Sequence, residues 1–138
     1  MSQRIVPFIG YEDAATAIGW LERAFAFTEN RSARYEEEGT ITHAELDLGG
    51  ATIYVSTPHD YVNPLRLRET SELARRAYDN QWVIDGHFVE VDDVDAHYER
   101  ARAGGATILR QPEEPGYGYR VYTAEDLEGH RWMFGQAV

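Results

Sequence analysis

The sequence predicts a mixed α+β fold made of two tandem copies of a strand–helix–three-strand module, written βαβββ. The same order of strand-like and helix-like segments occurs twice, and an offset of 79 to 80 residues superimposes Glu12-Asp13 on Asp92-Asp93 and Gly50 on Gly129. The chain has 138 residues, of which 43% are hydrophobic, enough for the core of one domain. We expect module one at about 3–57, a connecting segment at about 58–85 and module two at about 86–136.

Module one begins with an apolar strand at 3–11, and Glu12-Asp13 then supplies an acidic N-cap for a helix. The apolar residues of that helix recur at helical spacing: Ala14, Ala17, Ile18, Leu21 and Phe25. Three further strands are predicted at about 28–37, 40–48 and 51–57. The last two are joined by a Gly49-Gly50 turn, which is typical of a hairpin.

Module two repeats this order, beginning with a strand at 86–91 and an Asp92-Asp93 cap. A second helical stripe follows and stops at Gly104-Gly105; its members are Val94, His97, Tyr98 and Ala101. The remaining strands are predicted at 107–111, 118–124 and 130–135.

The connecting segment carries Pro58, Pro64 and four arginines, at 66, 68, 75 and 76. Its stretch 69–78 predicts a short helix with Leu73 and Ala77 on one side. Two interpretations stay open: a solvated linker, or a lid over a pocket, since long connections in compact domains often serve binding.

Composition excludes several classes of chemistry. The 24 acidic residues against 13 basic ones leave a net charge of -11, which disfavours nucleic acid as a partner and suits a cationic or neutral ligand. There is no cysteine, and all the basic residues are arginine, so thiolate sites and lysine Schiff bases are excluded. We expect a cytoplasmic protein with no membrane partner, because neither a signal peptide nor an apolar run of membrane-spanning length occurs.

Two stretches of module two carry a family resemblance: VEVDDVDAHYERARAGGATI at 89–108 and YTAEDLEGHRWMF at 122–134. Together with the duplicated module they resemble the vicinal-oxygen-chelate superfamily, which includes glyoxalase I, extradiol dioxygenases, fosfomycin-resistance enzymes and bleomycin-resistance proteins. The family's DPDG-like turn keeps its acid and its glycine in Asp126-Leu127-Glu128-Gly129 but has lost its proline. The resemblance implies two tandem βαβββ modules that form a curled mixed sheet around a shared cavity.

The resemblance also implies where a divalent metal is held in related enzymes, namely by a His on the first strand and a Glu on the last strand of each module. Those four positions fall here on Val6, Tyr54, Gly86 and Met133. None of these residues is an ordinary ligand of a hard or borderline divalent metal, so we expect the family's metal site to be absent and no cofactor to be bound. His87 lies next to one of the positions, but alternation along a strand turns it toward the helix-packed side.

Strand alternation predicts which side chains line the cavity. If Leu46 and Leu48 pack beneath the helix, His43, Glu45 and Asp47 point to the opposite face. The same argument predicts a ligand-binding wall of Phe8, Tyr54, Phe88, Arg131 and Met133, with Arg120 and Tyr122 if their strand matches 43–45. The candidate catalytic residues are His43, Glu45 and Glu90, as a His/Glu acid–base pair or as an atypical metal set.

Three functions remain open at this stage. Resemblance to the bleomycin-resistance branch implies a metal-free homodimer that binds a small molecule, since those relatives sequester a cationic antibiotic in an aromatic-lined groove. The alternative is a lyase, an isomerase or a dioxygenase-like enzyme that uses an atypical metal or the His/Glu pair. A scaffold that binds only protein is a third possibility, and it predicts no cavity.

Overall fold

The computed structural model describes residues 3–79 and 86–138, and it confirms the predicted class of α+β fold. The helices are α1 Ala14–Phe25, α2 Pro64–Thr70, α3 Glu72–Asp79 and α4 Val94–Ala103. The strands are β1 Phe8–Gly10, β2 Thr28–Glu29, β3 Tyr35–Glu37, β4 Thr40–Leu48, β5 Ala51–Ser56, β6 His87–Glu90, β7 Thr107–Glu113, β8 Tyr119–Glu125 and β9 Arg131–Ala137. None of the helices in this described part is long and apolar enough to cross a membrane.

The strands form two sheets of related topology. In the first, the order is β1-β5-β4-β2 with β3 also paired to β4, and in the second it is β6-β9-β8-β7. Each sheet pairs its first strand in parallel with its last strand, β1 with β5 and β6 with β9. The remaining pairs between neighbouring strands are antiparallel. The internal duplication predicted from the sequence is therefore a duplication of strand order as well.

One core joins the two modules. Helices α1 and α4 pack against each other and against one face of each sheet, which we call the helix-covered face. The Phe25 ring at the end of α1 lies 5.5 Å from that of Trp132 and 4.7 Å from that of Phe134, both on β9 of the other module. The opposite face of each sheet is called the open face below.

The caps follow the sequence prediction. The carboxylate of Asp13 accepts a hydrogen bond from the backbone N–H of Thr16, and that of Asp93 accepts one from Ala96, each at 3.1 Å. Those bonds satisfy N–H groups that a helix leaves without internal partners. The hydrogen bonds from Thr16 also lower the pKa of Asp13.

Three predicted elements differ from the structure. The strand expected at 3–11 pairs only over Phe8–Gly10, where Pro7 precedes it and has no N–H to give to the ladder. The strand expected at 28–37 is split into β2 and β3 by a turn of 3-10 helix at Arg31–Ala33. In place of one helix at 69–78 there are two, α2 and α3. Helix α2 starts earlier than expected, at Pro64, and Ser71, which is extended, separates it from α3.

Candidate functional site

The open face of the first sheet carries the side chains that alternation predicted. Ala44, Leu46, Ile53 and Val55 are buried on the helix-covered face, so the residues between them point away from the core. Because Glu45 pairs with Tyr54 and Tyr54 with Phe8, these three form one row across the sheet. His43 lies on the same face of β4, and its ring meets that of Tyr54 at 4.8 Å.

The second sheet has an equivalent row, in which Phe88 pairs with Met133 and Met133 with Thr123. Phe8 and Phe88 are thus equivalent by the internal duplication, as are Tyr54 and Met133. Both phenylalanines are solvent-accessible, with exposed fractions of 59% for Phe8 and 40% for Phe88. Exposed aromatic rings at equivalent places in two modules offer apolar surface to a ligand.

His43 and Glu45 form a hydrogen-bonded pair. The His43 Nε2 donates to Glu45 Oε2 at 2.9 Å, and both side chains are partly accessible to solvent. A carboxylate that holds an imidazole in one orientation is the arrangement that a general base needs. The sequence prediction that these two residues share a face is confirmed, whereas their catalytic role stays a prediction.

Glu90 lies apart from that pair and has a partner in its own module. The phenol of Tyr119 donates to Glu90 Oε1 at 2.5 Å, and this bond raises the pKa of Tyr119. Among residues 3–79 and 86–138, no three His, Asp or Glu side chains converge in a way that could hold a metal ion. The structure therefore does not bring His43, Glu45 and Glu90 together as an atypical metal set.

The orientation expected for Arg120 and Tyr122 was wrong. Tyr122 pairs with Phe134 across β8 and β9, so it lies on the helix-covered face and is completely buried. Its phenol donates to His97 Nδ1 at 2.6 Å. Arg120 points to the same side and binds Asp95 of α4, with a shortest distance of 2.9 Å. Neither residue lines the open face.

Arg131 is on the open face, as predicted, but it is covered. Its Nε donates to Glu125 Oε2 at 3.0 Å, its Nη2 donates to the carbonyl of Tyr78, and it is 6% exposed. The Tyr78 ring contacts two guanidinium groups, and its centroid lies 5.2 Å from that of Arg131 and 4.8 Å from that of Arg68. Helix α3 therefore ends on top of this part of the open face.

His87 has the orientation expected for it. Its ring packs 5.0 Å from that of Trp132, and it shares the helix-covered side of β6 with Val89. The backbone of β6 also borders a cleft, so His87 stands at the rim of that cleft.

This cleft lies between the two modules and has a volume of about 700 Å³. We call it the seam cleft. It is lined by 4–7, 48–53, 86–90 and Asp92. Residues predicted for the shared cavity that border it include Val6, Gly86, Phe88 and Glu90. Its walls are the segment before β1, the β4–β5 hairpin and β6.

The four positions where related enzymes hold a metal do not suit one. Val6 offers no donor atom, and Gly86 has no side chain. Met133 folds against Gly86, since a Cβ atom on that glycine would lie 3.3 Å from Met133 Cε. A thioether is a soft ligand, and the Tyr54 phenol already accepts a long hydrogen bond from Arg4 at 3.4 Å. These four residues therefore do not form a site for a divalent metal.

Sequence reasoning missed the connecting segment's contacts with module two. The Tyr61 ring stacks on that of His130 at 6.2 Å with 9° between the planes, and His130 Nε2 donates to the carbonyl of Gly10 at 2.7 Å. The signal available in the sequence was the cluster of arginines at 66 and 68, which here meet Glu12 and Glu125. The described part of the segment, residues 58–79, therefore contacts both modules, and residues 80–85 lie outside the described part of the chain.

The paired sheets and the seam cleft are the features to compare with known proteins. A model of the glyoxalase/bleomycin resistance protein/dioxygenase superfamily matches residues 4–134. The chain belongs to this superfamily. The family is the one that the motifs of module two indicated, and the vicinal-oxygen-chelate assignment is confirmed.

Several known proteins are similar to nearly the whole chain. The crystal structure of TioX from Micromonospora sp. ML1 is 32% identical, covers 99% of this chain and 97% of that one, and superimposes with a TM-score of 0.71. A family enzyme from Burkholderia phytofirmans PsJN is 20% identical, covers 95% of both chains and has a TM-score of 0.64, which shows the fold alone. An uncharacterized protein of Mycobacterium tuberculosis, Rv0887c, is 28% identical over 132 residues, which are 96% of this chain and 73% of the relative.

Proposed function

We propose that this superfamily member binds a small molecule in the seam cleft and the adjoining open face, without a divalent metal. The observation that carries the proposal is a cleft of about 700 Å³ between the modules, bordered by Val6, Gly86 and the exposed ring of Phe88. Pockets that bind small molecules have volumes of about 300–1,000 Å³ and combine apolar walls with a few polar groups. Such a cleft argues against a scaffold that binds only protein.

The charge of the protein favours a neutral or cationic ligand. The net charge of -11 and the carboxylates of Glu90 and Asp92 at the cleft repel anions. Arg4 also lines the cleft, where its guanidinium donates to the Tyr54 phenol at 3.4 Å, but the two carboxylates outnumber it. The guanidinium groups of Arg68 and Arg131 lie elsewhere and are bound by Glu125. The same net negative charge disfavours nucleic acid as a partner.

Binding is tested by isothermal titration calorimetry. The protein is titrated with a panel of metal-free cationic glycopeptides and neutral aromatic amides. We expect Phe88→Ala to weaken a bound member of the panel about tenfold, because burying an aromatic ring contributes about 1.5–3 kcal/mol. Tyr117→Ala, which also removes an exposed ring but lies outside the cleft, is the matched control. Binding that Phe88→Ala leaves unchanged, or that a chelator abolishes, contradicts the proposal.

A second candidate function rests on the pair formed by His43 and Glu45. Its 2.9 Å hydrogen bond beside Tyr54 suits metal-independent proton transfer, as in a lyase or an isomerase. For a substrate that the protein converts, we expect His43→Asn and Glu45→Gln each to lower kcat about 100-fold, with a smaller effect on KM. Unchanged turnover in both variants rejects the candidate and leaves the binding proposal intact.

Homodimer formation is part of the proposal, because the bleomycin-resistance branch that the sequence resembles forms dimers. The exposed Phe8 and Tyr35 side chains are compatible with an interface on the first sheet. The proposed homodimer is tested by size-exclusion chromatography with light scattering at micromolar protein concentration. A mass equal to that of the monomer contradicts the homodimer.

A further inference from the structure

Strand β6 of the second sheet has one free edge, and that edge borders the seam cleft. The strand pairs with β9 on its other side. Alternate residues of a parallel strand direct their N–H and C=O groups to the same neighbour. The Val91 N–H donates to the Gly135 carbonyl at 2.8 Å, so every second residue back from Val91 faces β9. The backbone N–H and C=O groups of Phe88 and Glu90 therefore point away from β9.

These four backbone groups are available to a ligand. Within residues 3–79 and 86–138, no backbone or side-chain group forms a hydrogen bond with them. Phe88 and Glu90 are both exposed, and the seam cleft is lined by 86–90. Backbone N–H and C=O groups need partners, which solvent or a ligand can provide.

The equivalent edge of module one is closed by a side chain of module two. The strand registers make Gly10 the equivalent of Glu90, and His130 the equivalent of Ala51. His130 Nε2 donates to the Gly10 carbonyl at 2.7 Å, and the Tyr61 ring stacks on the same imidazole. Ala51 has no donor group to offer to the Glu90 carbonyl. The two modules therefore differ in that the edge of β1 is closed and that of β6 is open.

The opposite edge of the second sheet is protected by its own sequence. Strand β7 pairs with β8 through two shifts of register, and Pro112 within it has no N–H. Bulges and proline are means by which exposed strand edges avoid pairing with other chains. Strand β6 has neither, since its pairing with β9 is regular over His87–Glu90. Its edge lies instead in the seam cleft, where only a narrow, extended chain can reach it.

We propose that the ligand of the seam cleft is a short peptide, which binds in extended form as an additional strand on β6. This inference rests on the proposed function and specifies the chemistry of the ligand. The amide groups of the peptide bond to the N–H and C=O groups of Phe88 and Glu90, which is recognition by strand addition. At a rise of about 3.3 Å per residue, these contacts engage about three residues of the peptide. A ligand of that size suits a cleft of about 700 Å³.

The probe is the capped tripeptide acetyl-threonyl-tyrosyl-threonine amide. It is neutral, because the cleft carries charges of both signs, at Arg4, Glu90 and Asp92, and a neutral probe isolates the backbone contacts. Threonine and tyrosine favour extended strands. We expect saturable binding with a Kd of about 1 mM or lower.

The result with the tripeptide is read beside that with the panel of glycopeptides and aromatic amides. If a panel compound binds and Phe88→Ala weakens it, whereas the tripeptide does not bind at about 1 mM, the proposed function stands and strand addition is overturned. If neither the panel nor the tripeptide binds, the proposed function itself fails.

The matched control is the same tripeptide with a methyl group on the backbone nitrogen of each residue. It keeps the side chains and the carbonyl groups, but its residues have no N–H to donate to the carbonyls of Phe88 and Glu90. We expect its affinity to be at least about tenfold lower, because two hydrogen bonds are lost. Equal affinities of the two peptides would mean that the backbone is not recognised, and they contradict strand addition.

Hydrogen exchange at single amides tests where the peptide lies. In the free protein, the N–H groups of Phe88 and Glu90 should exchange fast, and that of Val89, which faces β9, should exchange slowly. The tripeptide should slow exchange at Phe88 and Glu90 about fivefold when four-fifths of the protein is bound. Slower exchange in β7 instead, or in neither strand, overturns the proposal.

Two variants at one position test the N–H of Glu90. Glu90→Ala and Glu90→Pro both lack the carboxylate, but only the proline variant lacks the N–H. Proline is tolerated in an edge strand where the N–H points away from the neighbouring strand, so the circular dichroism spectrum should stay native in both. We expect Glu90→Pro to bind the tripeptide about fivefold more weakly than Glu90→Ala does. Equal affinities would show that this N–H is not used, and they contradict the proposed binding mode.

Discussion

At the scale of single residues, two buried polar side chains organise the interface between the modules. Asp126 accepts the Tyr11 phenol at 2.6 Å, the Trp132 indole N–H at 3.0 Å and the backbone N–H groups of Glu128 and His130. Tyr11 is completely buried, and this burial, with the negative charge of Asp126, raises the pKa of its phenol. Buried polar groups must be paired to avoid a desolvation cost, so Asp126 in the β8–β9 turn acts as a structural acceptor.

His97 is the second of these residues. It is 8% exposed, donates from Nε2 to the carbonyl of Phe25 at 2.8 Å and accepts the phenol of Tyr122 at Nδ1. Both ring nitrogens are thus used by the neutral imidazole. Burial lowers the pKa of His97 below its ordinary value of 6.5.

This shift predicts a pH-dependent stability. The unfolded chain takes up a proton on His97 near pH 6.5 and the folded chain only at lower pH. The contribution to the free energy of unfolding is therefore complete above pH 6.5 and is lost as the pH falls below it, by at most about 1.4 kcal/mol per pH unit. Urea unfolding at several pH values should give a shallower dependence for His97→Gln. His59→Gln, which changes an exposed histidine, should match the wild type; equal slopes in all three proteins contradict the assignment.

At the scale of elements, the described part of the connecting segment, residues 58–79, is held to both modules. Helix α2 is anchored at Glu12 and Glu125, and α3 is anchored where Tyr78 meets Arg131. The two helices therefore cover one end of the open face in the structure, which leaves the seam cleft at the other end accessible.

The equivalent turn glycines provide a test of this asymmetry. Gly129→Ala should destabilise the protein by about 2 kcal/mol, because Gly129 has φ +92° and the new methyl group meets Leu65 and Arg68. Gly50→Ala should change stability by less than about 0.5 kcal/mol, since open space surrounds it. Hydrogen exchange should show faster opening of α2 only in Gly129→Ala. Equal effects at both glycines would mean that α2 does not rest on the turn.

At the scale of the whole molecule, the two modules share one core and are expected to unfold together. Phe25 of module one packs against Trp132 and Phe134 of module two, and α1 packs along α4. Neither module can therefore bury its helix-covered face completely without the other.

Phe25→Ala tests this coupling. The change removes a completely buried ring and should lower the free energy of unfolding by about 3–5 kcal/mol. Because the core is common, the hydrogen-exchange protection of β4 and of β9 should fall by the same amount. Phe88→Ala, at an exposed ring, should cost less than about 1 kcal/mol and serves as the control. Loss of protection in β4 alone would mean that the modules are independent.

The sequence by itself determined the features that depend on local order. The duplicated module, the caps at Asp13 and Asp93 and the Gly49-Gly50 hairpin all follow from spacing and turn chemistry within a few residues. The alternation on β4 also placed His43 and Glu45 on one face, because Ala44 and Leu46 on either side are plainly apolar.

Only the tertiary structure decided the features that depend on a distant partner. Tyr122 and Arg120 face the helices because β8 pairs with β9 in a register that puts Tyr122 opposite Phe134, and no local pattern fixes that register. The position of α2 on the β8–β9 turn likewise depends on contacts between residues more than 50 positions apart. Hydrophobic periodicity indicates which side of a helix or strand is buried. The packing between elements decides which other residues cover that side.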